Sequence, residues 1–98
     1  MQMLGGRADC VGPHYAIEID WSEKWAESLG QAMYYASQTG KEPGLILLCR
    51  KPEADCLKHS IRVEAAITQY KIRATVWECG QFPLTLNDCR TKRFGQQP

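Results

Sequence analysis

Three acids near the start of the chain, Asp9, Glu18 and Asp20, are spaced so that a strand hairpin would gather them into one patch. Glu18 and Asp20 are two residues apart and therefore share a face of any strand that carries them. Asp9 falls on the preceding strand, and an antiparallel turn at residues 12–14 brings it to the same end of the sheet. Crowded carboxylates repel one another unless a cation joins them, and hard oxygen donors suit Mg²⁺ (or Mn²⁺), which needs only one or two protein carboxylates. Asp9 and Glu18 are the expected metal ligands. Downstream, Lys24, Ser28, Gln31 and Tyr35 are separated by four, three and four residues and form one stripe of a helix. Facing the acids, Lys24 would orient a water or offset charge developing on a phosphoryl group, with Asp20, Gln31 and Tyr35 in support. The plain alternative is a solvated strand face whose acids pair with Lys24, an arrangement worth little energetically.

The elements that must position these groups are legible from hydrophobic period and turn chemistry. Residues 7–11 read as a short strand, and Gly12-Pro13-His14 as the turn of a hairpin. Tyr15, Ile17, Ile19 and Trp21 alternate with Ala16, Glu18 and Asp20, the period-two signature of a strand with two different faces. A helix over about 23–39 follows, with Trp25, Leu29, Ala32 and Ala36 as its buried stripe and Gly40 at its end. The apolar run 44–49 predicts a parallel strand covered on both faces. Pro52 opens a second helix running to about Tyr70, with Leu57, Ile61, Ala65 and Thr68 as its apolar stripe, flanked by Ala54 and Ile67. Residues 71–78 read as the last strand. The opening residues 1–6 look frayed, and 80–98 read as irregular, with Phe82, Leu84 and Leu86 pinning the segment back onto the sheet. The expected architecture is one α/β domain over residues 1–98: a mixed four-stranded sheet in the order β-β-α-β-α-β, with helices packed on its faces.

A formal charge of +1 excludes a global field that would draw the whole molecule onto nucleic acid or an anionic membrane, so any such binding must be local. The one asymmetry is a basic tail of Arg90, Lys92 and Arg93. Hydrophobic residues make up 44% and charged residues 23%, which sets disorder aside as an account of the chain. No apolar run approaches the roughly 20 residues that span a bilayer. Five cysteines, an odd number with no CxxC pair and no leading signal segment, predict free thiols in a reducing cytoplasm. Cys10 and Cys49 then serve as small hydrophobes.

Beyond these readings, "RADC" followed by "AIEIDWSEKWAESLGQAMYYASQTGKEPGLILL" resembles the PD-(D/E)xK, restriction-endonuclease-like superfamily, in particular its small phage- and plasmid-associated members. The residues that carry the resemblance are Arg7 and Asp9, then Glu18, Ile19 and Asp20, then Lys24 to Glu27, then Gly30, Gln31, Tyr34 and Tyr35. It spans about residues 7–49. It implies a restriction-endonuclease-like core in which Asp9 and Glu18 hold a divalent cation, Lys24 assists hydrolysis of a DNA phosphodiester, and subunits pair as a homodimer through the sheet edge or the second helix. Two departures stand out. Asp20 occupies the position, two after the glutamate, where the superfamily usually has its lysine, and the chain lacks the helix that commonly precedes the first strand. A scaffold that keeps DNA or partner binding without turnover is the alternative the departures favour.

Overall fold

The structure, a computed structural model, describes residues 2–3 and 10–95, with side chains from Gly12 onward. Its strands are β1 (Gln2–Met3), β2 (Cys10–Val11), β3 (Tyr15–Trp21), β4 (Glu42–Leu48), β5 (Ala74–Cys79) and β6 (Arg90–Phe94). Two helices, α1 (Trp25–Thr39) and α2 (Glu53–Gln69), complete the list, together with 3-10 turns at Ser22–Lys24 and Leu86–Asp88. The six strands form one mixed sheet in simple sequential order, β1 to β6. β3, β4 and β5 are parallel, and both flanks are antiparallel.

The α/β class and the mixed sheet agree with the expectation, whereas the element order does not quite: β2 to β5 answer to the expected strands, the first of them at Cys10–Val11 with 7–9 outside the described residues, and β1 is added before them and β6 after. β6 overturns the reading of 80–98 as wholly irregular. "RTKRF" shows no apolar alternation because β6 is an edge strand, paired only with β5, and charged side chains guard such edges. Phe82 and Leu84 do not pin this segment, being 82% and 93% exposed. A bond between Cys79 and Cys89 ties it down instead.

Both helices lie on one face of the sheet, not one on each. Leu29 and Ala32 of α1 join Val63 and Ile67 of α2 in a single cluster with Leu45 and Leu47 of β4 and Ala74 and Val76 of β5. The reason is topological. Parallel crossovers are right-handed, so two of them that add strands in the same direction place both helices on the same side. The opposite face carries its own cluster of Ile17, Trp77 and Cys79 with Tyr15, Ile19, Ile46 and Leu48. β4 therefore buries Leu45 and Leu47 against helices and leaves Ile46 and Leu48 half-buried, so it is covered less evenly than its apolar run predicted. Gly44 belongs to that second face: a Cβ there would sit 2.9 Å from Ile17 Cγ1 and 3.2 Å from the Trp77 ring.

Helix α1 stops where glycine lets it. Gly40 adopts a left-handed φ of 69°, and the Lys41 amide reaches back to the Ala36 carbonyl. α2 closes in the same way without glycine, Lys71 taking a φ of 54° while the Ile72 amide donates to the Ile67 carbonyl. That closure consumes residues assigned by pattern to the last strand, which begins at Ala74. The predicted stripe of α2 is also displaced. Ser60, Val63 and Ile67 face the sheet, while Leu57 and Ile61 are 55% and 60% exposed.

Four of the five cysteines are paired, Cys49 with Cys56 and Cys79 with Cys89, which corrects the free-thiol expectation. The ends of neighbouring β4 and β5 place Cys49 and Cys79 side by side, the Cys49 amide donating to the Cys79 carbonyl at 2.9 Å. Each bond then staples the following element, α2 or β6, to its strand. Bonds with sequence separations of 7 and 10 are each expected to stabilise the fold by about 2–3 kcal/mol by restricting the unfolded chain. Denaturant melts with and without reductant, with intact-mass measurement of the number of free thiols, check this. A full set of five free thiols in unreduced protein would remove the staples.

Candidate functional site

Glu18 sits in the middle of β3 and is 5% exposed. It shares the strand face of Ala16, which packs against Ala36 and Tyr35 of α1, so the carboxylate points to the helix side of the sheet. Asp20 follows on the same face, half-buried, its Oδ1 accepting the Trp21 amide at 2.8 Å. The strand ends in the 3-10 turn Ser22–Lys24, which leaves Lys24 exposed and, among the described residues, without an ion pair. On α1, Ser28 is buried and Tyr35 half-buried with its ring edge-on to Tyr34 at 5.3 Å, while Gln31 is exposed. The helix thus turns Ser28 and Tyr35 inward and Gln31 toward solvent. Asp9 lies outside the described residues.

The described donors of this set are the carboxylates of Glu18 and Asp20, the kind of group a hard divalent cation takes. A carboxylate removed from bulk water, with a second two residues along the same face, supplies the one or two protein oxygens such an ion uses. Among the described residues no group of three or more His, Cys, Asp or Glu side chains could hold a metal.

A polar network that pattern reading missed occupies the C-terminal ends of the parallel strands. Ser22 Oγ and His59 Nδ1 lie 2.8 Å apart, joining the turn after β3 to α2. Glu78 of β5 stands between Arg90 Nε at 3.3 Å and Lys92 Nζ at 3.4 Å, and Lys92 also donates to Ser60 Oγ and Glu64 Oε1. A cavity of about 620 Å³ opens here, lined by Ser22, Leu47, Leu57, Glu78, Arg90 and three of the paired cysteines, Cys49, Cys56 and Cys79. The strands supply one partner and the helix or edge strand the other, so no local spacing announces these pairs. Glu78, an acid ending a run of β-branched and aromatic residues, was the one available signal.

Nearby, Glu23 Oε2 accepts from Arg50 Nε at 2.7 Å, with Lys51 at 4.0 Å, and the Arg50 guanidinium lies 4.6 Å over the Trp21 ring. Partial desolvation works to raise the Glu23 carboxyl, but the Arg50 hydrogen bond, a backbone hydrogen bond and the two positive charges together hold it below its ordinary 4.5. A depressed folded-state pKa stabilises the fold above the unfolded value and loses that contribution as pH falls through the folded one. Melting temperature followed downward from pH 4.5 is therefore expected to fall less steeply in Glu23→Gln than in the parent.

No family model matches the chain, nor does any curated protein or solved structure.

Proposed function

We propose that the protein hydrolyses DNA phosphodiesters with a divalent cation at the Glu18 face of β3. The observation that carries this reading is the buried Glu18 followed by Asp20 on one strand face, leading directly into the turn that bears Lys24. Glu18 and Asp9 hold the ion, which when bound makes a neighbouring water more acidic and polarises the phosphoryl oxygens. Lys24, at the mouth of the strand end, holds a phosphate of the substrate and offsets its charge. Asp20, fixed by the Trp21 amide, orients the groups around it. Tyr35 packs against Ala16, two residues before Glu18 on the same strand face, and exposed Gln31 contacts the DNA.

The sequence resemblance to the PD-(D/E)xK nucleases and the mixed α/β sheet agree with this reading. Among the described residues no helix is long and apolar enough to cross a membrane. The proposed homodimer has a contact to use in the outer face of α2, where Leu57 and Ile61 stand one turn apart. The free thiols on which a cytoplasmic location rested are not what the structure shows, since paired cysteines persist in oxidising surroundings. The test is conversion of supercoiled DNA to nicked or linear forms with Mg²⁺ or Mn²⁺, run beside EDTA. DNA retained without cleavage in every divalent condition would replace the hydrolase with a binding module.

A further inference from the structure

A second cleft, of about 640 Å³, lies at the opposite end of the parallel strands from Lys24. It is formed by the 12–14 turn, the starts of β4 and β5 and the end of β6. Its side chains combine two kinds of group. Among the described residues Lys41, Arg73 and Arg93 line it with a single carboxylate, Glu42, a local +2 where the whole chain carries +1. Beside them are the rings of His14 and Tyr15. Two of the cations are held in place. Glu42 accepts from Thr75 Oγ1 at 2.6 Å and from Arg73 Nε at 3.0 Å, which leaves the outer guanidinium nitrogens of Arg73 for a ligand. Lys41 Nζ donates to the Pro13 carbonyl at 3.0 Å. Arg93 stands opposite Thr75 in the β5 to β6 register and makes no ion pair among the described residues. The rings are ordered as well, His14 lying 6.5 Å from Tyr15 and Tyr15 edge-on to Trp77 at 5.2 Å.

We infer that this cleft is a nucleoside-phosphate subsite, with Arg93, Arg73 and Lys41 on the phosphate and the exposed His14 ring against the base. The volume is that of a small-ligand pocket. Concentrated positive charge selects an anion, and an aromatic surface next to it selects one with a π face, the combination that binds single-stranded nucleic acid without reading its sequence. An acidic peptide would satisfy the cations and leave the rings unused. The inference does not rest on hydrolysis, because the cleft is on the Tyr15 side of β3 and Glu18 is not among its described lining residues.

The test is fluorescence anisotropy of a labelled octathymidylate in low salt and EDTA, where cleavage cannot occur. Arg93→Ala is expected to weaken binding at least about fivefold and to flatten the slope of log K against log salt by about 0.7, the loss of one single-strand phosphate contact. His14→Ala is expected to weaken it about fivefold or more with the slope unchanged, since stacking releases no counterions. Arg62→Ala, exposed on α2, serves as the control and should stay within about twofold. Competition by thymidine monophosphate assigns the site to free nucleotides, and competition by strands alone assigns it to nucleic acid; either supports the subsite. Absence of parent binding, unchanged affinity and slope in Arg93→Ala and Lys41→Ala, or equal competition by polyglutamate would overturn it. The assay reads binding alone in EDTA, so its outcome is distinguishable from failure of the hydrolase, which is read by nicking with Mg²⁺ or Mn²⁺.

Discussion

Glu18→Gln is expected to cut divalent-dependent nicking by at least about 100-fold while leaving the fold intact. Glutamine keeps the length and shape of glutamate, so the packing of β3 against α1 is preserved. It removes the negative charge a hard cation requires, and loss of a single preorganised electrostatic contact in an excluded site costs about 10²–10³ in rate. Its burial at 5% exposure is what makes the charge effective, since water screens it poorly there. Lys24→Ala, removing a group at the solvent-exposed turn, should cost less, about tenfold to 100-fold. Gel-based rates over a Mg²⁺ titration, with circular dichroism melts of each variant, make the comparison. A Glu18→Gln protein that melts like the parent and nicks at the parent rate would take the cation away from β3.

The second large effect concerns the two apolar stripes of α2. Ile67 is completely buried among Val63, Leu45 and Val76, and Ile67→Ala is expected to cost about 3–4 kcal/mol, the lost transfer energy plus that of the cavity left behind. Ile61 is 60% exposed, and Ile61→Ala should stay within about 0.5 kcal/mol in the isolated chain. Urea denaturation at equal protein concentrations measures both. Similar losses in the two variants would mean that the outer stripe is covered, and a loss in Ile61→Ala that shrinks on dilution would identify a second copy of the chain as the cover.

The same pair of residues shows where sequence reasoning stops. Period alone distinguishes a helix from a strand, and it gave the alternation of Tyr15 to Trp21 and the span of α1 closely. α2 carries apolar residues on two faces, however, and Leu57 and Ile61 are larger than Ser60 and Val63, so side-chain size points to the bulkier stripe although the sheet takes the other. Burial is settled by which side the crossover presents to the sheet, and that is a property of the whole topology. The cysteine pairs were hidden for a related reason: Cys49 and Cys79 become neighbours only when β4 and β5 lie side by side. Arg90 and Lys92 looked like a solvated tail because their partner, Glu78, is on the adjacent strand. In the candidate site, the strand acids and the helix start were legible from spacing. The inward turn of Ser28 and Tyr35 and the outward turn of Gln31 were not, because a stripe defined by 3.6-residue periodicity is wide enough to straddle the boundary between core and solvent.

Strands that are consecutive in the chain are also adjacent in the sheet, from β1 through β6. No strand has to be threaded between two that are already joined. As the polypeptide leaves the ribosome, each new hairpin or crossover can zip onto the last completed edge, and every loop to be closed stays short compared with one spanning the whole chain. Such a molecule can assemble in the direction in which it is synthesised, with its growing edge capped at the end by the charged strand β6.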